Sequence, residues 1–252
     1  MSNNQISVII FTYNEEKNIN QCIQSAKILT DQIFIVDSQS TDSTVKIAKE
    51  KKIPCFSFPY SFYVEPARNF GIEKAKTTWV FLIDADERIT DNLALEIEKV
   101  IKETKFTYYF VPRKNIFINK WLKHGGWWPD YQPRLINKNF FITWPKQIHS
   151  MPKIKGGAGY LKNSLLHFFH GNFEKMVDKT IIFEEIEANL LFLAKKQANT
   201  LIFFRKFLGE LWRRLFKNFG FLDGKAGIIE GIYQAFSKTI TYLYLYEKSR
   251  SF

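Results

Sequence analysis

Short, uniformly apolar runs that stop at polar or acidic residues constrain this chain more than any other feature. Ile6–Phe11 (ISVIIF) runs into Thr12-Tyr13-Asn14-Glu15, Ile33–Val36 (IFIV) stops at Asp37, and Trp79–Ile83 (WVFLI) stops at Asp84. Pro54–Phe58 reads as a further strand. Between them, Glu16 to Leu29, Ser43 to Lys51, Pro66 to Lys76 and Asn92 to Glu103 read as helices. Strands apolar on both sides are buried on both faces. The alternation therefore predicts an α/β fold, a mostly parallel central sheet flanked by helices. In open sheets of this kind ligands bind beyond the carboxyl ends of the strands. The polar ends Tyr13, Glu15, Asp37, Asp84 and Asp86 are thus expected to gather at one rim.

Beyond residue 108 the texture changes. Gly, Pro, Trp and His become frequent, as in Lys123-His124-Gly125-Gly126-Trp127-Trp128-Pro129-Asp130, which predicts loops and short antiparallel strands up to about Gly171. Gly156-Gly157-Ala158-Gly159 reads as a flexible loop. From Glu174 the chain reads as helical. Residues 195–252 hold 11 Lys/Arg against 4 Asp/Glu, a net of +7 out of +11 for the whole chain. Phe204, Phe207, Leu208, Leu211, Trp212, Leu215, Phe216 and Phe219 recur at helical spacing, with Arg205, Lys206, Arg213, Arg214 and Lys217 opposite. This predicts a basic amphipathic helix of the sort that lies in a membrane interface. A second aromatic stretch with Tyr233, Phe236, Tyr242, Tyr244 and Tyr246 follows.

The chain is 46% hydrophobic, enough for a substantial core, which excludes a disordered tail or a small disulfide scaffold. Cys22 and Cys55 stand far apart without a zinc-ligand pattern, so reduced structural thiols are expected. The short polar N-terminus lacks signal-peptide features, and no uncharged apolar run reaches the ~18–20 residues of a membrane span. A cytoplasmic protein, peripheral on the inner membrane, is the expectation.

Asp84-Ala85-Asp86-Glu87 is the sharpest chemical signal. Two carboxylates one residue apart at a strand end suit a hard divalent cation, Mg²⁺ or Mn²⁺, that bridges to a diphosphate. Asp37-Ser38-Gln39-Ser40-Thr41-Asp42 offers a carboxylate to a base N–H, though a strand, a turn and a helix capped by Ser40 or Thr41 explain the same residues. Tyr13 could stack on a base and Glu15 hold a ring or ribose group.

FTYNEE, VDSQSTDST, ARNFG and FLIDADE, in that order over about 85 residues, resemble the signature of inverting family 2 glycosyltransferases with the GT-A (Rossmann-like) nucleotide-sugar-binding fold. HGGWWPDYQPRL, the His149 region and GFLDGKAG are similar to bacterial lipopolysaccharide core β-glucosyltransferases of that family. The subgroup's His-Glu is His149-Ser150 here, so that Glu's role does not transfer. The resemblance implies that Thr12, Tyr13, Glu15, Asp37, Arg68, Asp84 and Ala85 bind the nucleotide-sugar donor. It also implies that Asp84 and Asp86 hold the metal. Asp130 is the candidate general base for the acceptor hydroxyl, with Glu87 in reserve. Trp127 and Trp128 would stack on acceptor sugars, and Arg134 would clamp an acceptor phosphate or a donor diphosphate oxygen. Of His124, His149, His167 and His170, His149 or His167 is favoured to complete the metal shell or bind diphosphate. Residues 1–190 would form the catalytic domain (1–112 for the nucleotide sugar, 113–190 for the acceptor) and 191–252 a helical extension on the membrane. The expected donor is a nucleoside-diphosphate hexose, UDP-glucose first, and the expected acceptor a lipid-linked saccharide such as lipopolysaccharide core.

Two rivals share some of these features. Aromatics interleaved with Lys/Arg also suit a nucleic-acid-binding module. Acids at the strand ends argue against it, and no nucleic-acid partner is expected. A nucleotidyltransferase on the same fold would need a basic Gly-rich loop near the N-terminus, which is missing.

Overall fold

The apolar runs become the central strands of a ten-stranded sheet. In this computed structural model, residues 5–103, 105–169 and 173–250 are described. They fall into two compact units: one runs up to Arg113 and includes Asp130–His167, and the other comprises Lys114–Pro129 and the chain from Phe168 onward.

The first unit begins with β1 (Ile6–Thr12), α1 (Ile19–Ala26), β2 (Ile33–Asp37), α2 (Thr44–Glu50), β3 (Cys55–Ser57), α3 (Glu65–Lys74), β4 (Trp79–Asp84), β5 (Glu87–Arg88) and α4 (Asp91–Glu103). Strands β3-β2-β1-β4 lie parallel in that order. The register pairs Thr12 with Asp37 and Phe11 with Asp84, so the three polar strand ends leave the sheet side by side. Alternate residues of these strands feed two cores. Ile6, Val8, Ile10, Ile35, Phe81 and Ile83 meet α1 and α4, whereas Ile9, Phe11, Val36, Val80 and Leu82 meet α3. Gly71 on α3 permits a close approach, because a Cβ there would lie 2.8 Å from the Phe11 ring.

Beyond β4 the sheet turns antiparallel. It continues through β6 (Tyr108–Phe117), β7 (Lys120–Trp121), β8 (Asp130–Asn137), β9 (Phe141–Thr143), β10 (Lys153–Ile154), β11 (Ala158–Tyr160) and β12 (Leu165–His167), with β9 and β10 forming a separate pair. β8 pairs with β4 and β6 with β8, setting Arg113 opposite Asp130. β12 pairs with β5, setting His167 opposite Glu87. The glycine run expected as a loop is partly strand. Ala158–Tyr160 runs parallel to β6, and Gly159 leaves room for the Tyr109 ring, 2.5 Å from where a Cβ would be.

In the second unit the end of β6 and β7 make a hairpin whose tip residues Ile118 and Asn119 adopt positive φ. Helices α5 (Phe173–Leu193), α6 (Thr200–Trp212) and α7 (Gly224–Arg250) follow, with α5 and α6 both packed on α7. Residue 190, the expected end of the catalytic domain, lies inside α5. The amphipathic helix is not one regular α-helix, because Arg213–Lys217 form a π turn. Its apolar stripe also divides. Leu201, Phe204, Leu208, Trp212, Phe216 and Phe219 are exposed, while Phe207, Leu211 and Leu215 are half-buried. Two of the five expected outward cations turn inward: Lys206 lies over the Tyr242 ring, and Arg214 lies over Trp127 and donates to the Gly125 carbonyl.

Candidate active site

The loops after β1 and β2 grip one another. Asn14, in the left-handed conformation that Asn tolerates, accepts at Oδ1 from the Thr41 amide (2.7 Å), and its own amide donates to Ser40 Oγ. The Glu15 amide donates to Thr44 Oγ1 and the Glu16 amide to Asp42. Asp42, rather than Ser40 or Thr41, accepts the first amide of α2, from Thr44. The two sequence motifs therefore have a structural duty of their own: they fix one loop against the other.

Asp37 is buried, and both its oxygens accept from Ser40. Thr12 is buried with an Oγ1 that lacks a partner. Glu15 accepts from Asn18, while Tyr13 is 40% exposed and packs on Tyr60, with ring centres 4.4 Å apart. Tyr60, missed in the sequence, extends an exposed aromatic surface with Phe62 beside the loop that follows β1. An aromatic three residues beyond a short strand carries no motif. Only the fold brings it to Tyr13.

Past β4 lies a chain of opposite charges in which Arg68, Arg134 and Glu87 are buried and Asp84, Arg113 and Asp130 are half-buried. Asp84 accepts from Arg68 (2.9 Å) and Arg134 (2.7 Å). Arg134 also reaches Glu87 (2.5 Å), which takes the Asp84 amide and Arg113 (3.3 Å) as well. Arg113 then donates through Nε and Nη2 to Asp130, which also accepts from Gln132. Burial alone would raise the Asp84 pKa, but Arg134 and Arg68 outweigh it and hold the carboxyl well below the usual range. Arg134 is pushed up in turn, because Asp84 and Glu87 outweigh its own burial. Burial pulls Arg68 down, yet a guanidinium starts so far above neutrality that it keeps its proton.

These pairings involve three of the expected site residues. Arg134, expected to clamp a phosphate, is 3% exposed and pairs with the Asp84 and Glu87 carboxylates. Arg68 is equally buried against Phe11 and Trp144, with Nε and Nη1 unpartnered. Asp84 has its two oxygens turned to arginines, and Asp86, the other expected metal ligand, stands two residues on. There, His167 Nε2 lies 3.6 Å from Asp86 Oδ2. Two ligands about 2.1 Å from one ion stand roughly 3–3.4 Å apart, so this carboxylate–imidazole pair nearly fits a partly hydrated divalent cation. Among the described residues no cluster of three or more His, Cys, Asp or Glu could hold a metal.

The other expected residues are more dispersed. The Ala85 amide donates to the Phe11 carbonyl and is spent within the fold. His149, at positive φ, donates its amide to Glu65. His170 lies outside the described residues. In the second unit, His124 is held by Asp223 (2.9 Å), Trp127 packs on Phe169, and Trp128 meets Trp121 edge to face. The Cys22 thiol is fully buried and pushed up by that burial, and Cys55 is pushed to about 11, as suits inert structural thiols.

Parallel strands whose acidic ends meet at one rim, continued by an antiparallel half, define a GT-A glycosyltransferase fold. Residues 7–167 match the model of glycosyl transferase family 2, and the chain belongs to that family. It is a glycosyltransferase, so the nucleic-acid-module reading is set aside. An uncharacterized glycosyltransferase of Rickettsia prowazekii (strain Madrid E) is 28% identical over 257 residues, 93% of this chain and 84% of its own length. The lipopolysaccharide core biosynthesis glycosyltransferase LpsC of Rhizobium meliloti (strain 1021) is 37% identical over 90 residues, 33% of this chain and 32% of its own. Among solved structures, S. aureus TarS 1–349 in complex with UDP-GlcNAc has a TM-score of 0.51 at 15% identity, covering 100% of this chain and 92% of that one.

Proposed function

We propose that this glycosyltransferase inverts the anomeric centre as it moves a hexose, glucose first, from a nucleoside diphosphate, UDP first, to a lipid-linked saccharide. Lipopolysaccharide core at the cytoplasmic face of the inner membrane is the favoured acceptor. The observation that carries this reading is the rim where β1, β2 and β4 end side by side. It presents Tyr13, Asp37 and the Asp84–Asp86 turn together. The partial likeness to LpsC supports the acceptor class.

In this reading Tyr13 stacks on the base with Tyr60 behind it, and Glu15 and Asp37 take ring or ribose hydrogens. Asp86 with His167 would hold Mg²⁺ or Mn²⁺; when bound, such an ion offsets the charge of the departing diphosphate. Arg68 and Arg134 keep Asp84 ionised and fix the turn that carries Asp86. Asp130, aligned by Arg113 and Gln132, takes the acceptor proton as its oxygen attacks the anomeric carbon. A single in-line displacement gives inversion.

The exposed apolar stripe of α6 and the π turn after it, flanked by the exposed Arg205, Arg213 and Lys217, would lie on anionic lipid. Each cation near the surface contributes about 1 kcal/mol, and Trp212 and Phe216 add apolar burial. No described helix is long and apolar enough to cross a membrane. The test is incubation of UDP-glucose and Mn²⁺ with deacylated lipopolysaccharide core, read by NMR of the new anomeric proton. A β-linked product is expected. An α-linked one, or transfer from no nucleotide sugar tried, contradicts the proposal.

A further inference from the structure

The β6–β7 hairpin of the second unit carries an arrangement that folding alone does not favour. Ile116 pairs with Trp121, and the Leu122 amide bonds the Asn115 carbonyl, so the same register sets Lys114 directly across from Lys123. Side chains two apart on a strand share a face, which puts Lys114, Trp121 and Lys123 on one face of the hairpin. Like charges directly opposite one another destabilise a strand pair. Here both ammonium groups instead crowd one indole: Lys114 Nζ lies 4.6 Å and Lys123 Nζ 4.7 Å from the Trp121 ring centre. Among the described residues no carboxylate pairs with either lysine. The Trp121 Nε1–H is buried and has no hydrogen-bond partner. Trp128 stands edge-on to the same ring at 5.2 Å, and Asn115 holds its neighbour Trp127 by the carbonyl.

An indole offers an apolar face to the C–H side of a pyranose, and two uncompensated ammonium groups beside it call for an anion. We propose that Lys114, Trp121 and Lys123 form a subsite for an anionic sugar unit, one that bears a phosphate or a carboxylate. This deepens, and rests on, the reading of a saccharide acceptor. The ring takes the sugar face and the two lysines take the charge, which also relieves their mutual repulsion.

Tryptophan-labelled full-length protein is titrated with glucose 6-phosphate, glucuronate, glucose and inorganic phosphate. The Trp121 indole resonance is identified by Trp121→Phe, and affinities are measured by calorimetry. Glucose 6-phosphate or glucuronate is expected to move that resonance and to bind at least tenfold tighter than glucose or phosphate alone. The Lys114→Gln/Lys123→Gln variant should bind it at least tenfold more weakly, and which of the two sugars binds tells phosphate from carboxylate. Unchanged affinity in the double variant, or equal binding of glucose or of inorganic phosphate, overturns the proposal. UDP is titrated in parallel. Its failure to bind wild type would defeat the donor reading, whereas the indole result would still decide the anionic subsite.

Discussion

Replacing Arg134 by Met removes the centre of the charge chain. Arg134 joins Asp84 at 2.7 Å to Glu87 at 2.5 Å, and the Glu87 side chain is 0% exposed. Breaking a buried pair by deleting one partner costs about 3–5 kcal/mol, chiefly because a desolvated charge is left behind. Here Arg68 still faces Asp84 and Arg113 still faces Glu87, which places the loss near the lower bound, about 3 kcal/mol. For a chain of this size that corresponds to a fall of roughly 6–12 °C in Tm. Acidification adds a second signature. Asp84 is held low in wild type, so its contribution is present above its unfolded pKa of about 3.9 and is lost as pH falls toward the folded value. With Arg134 gone the depression shrinks, so Arg134→Met should lose less stability than wild type between pH 5 and pH 2.5. Arg134→Lys should recover part of the loss, since both carboxylates bond the single Nη2 nitrogen and an ammonium carries three donors, though on a stem of different reach. Thermal melts followed by circular dichroism at several pH values read all three. A loss under 1 kcal/mol with an unchanged acid limb would refute the idea that Arg134 is the strut of the site.

Other expectations are independent of that strut. Glu230 on α7 is 1% exposed, and burial pushes its carboxyl up to about 7, so its folded pKa lies above its unfolded one. The chain should therefore lose stability as pH rises from about 4.5 to 7, and Glu230→Gln should flatten that slope and raise Tm at pH 8. Asp130→Asn should lower kcat by about 10²–10⁴-fold and leave UDP affinity unchanged, as steady-state kinetics with calorimetry would show. Trp212→Glu with Phe216→Glu should abolish co-sedimentation with anionic vesicles while leaving donor binding intact. Retained sedimentation would move the lipid surface elsewhere.

Much of the fold was legible because burial on two faces writes itself as continuous apolar residues. ISVIIF, IFIV and WVFLI became β1, β2 and β4, and their polar ends met at the expected rim. The antiparallel half was visible only in outline, since its short strands owe their places to long-range pairing. Even a glycine run became strand β11 when Tyr109 needed space beside it. In the site, residue types were readable but their commitments were not. Arg134 and Asp84 look like ligands in sequence, which does not show that the fold also pairs them with each other. Arg113, which connects Glu87 to Asp130, has no sequence signal because its partners arrive from separate strands. The exposed apolar stripe of α6 was foreseen, but the π turn and the inward Lys206 and Arg214 depend on packing against α7 and the Gly125 loop.

The most direct test is calorimetric titration of UDP into wild type, Asp86→Asn and His167→Gln, each with and without Mn²⁺. The account predicts that Mn²⁺ tightens UDP binding at least tenfold in wild type and that either substitution removes this gain while metal-free affinity stays the same. Equal enhancement by Mn²⁺ in all three proteins, or no binding of UDP to wild type under any condition, would contradict it.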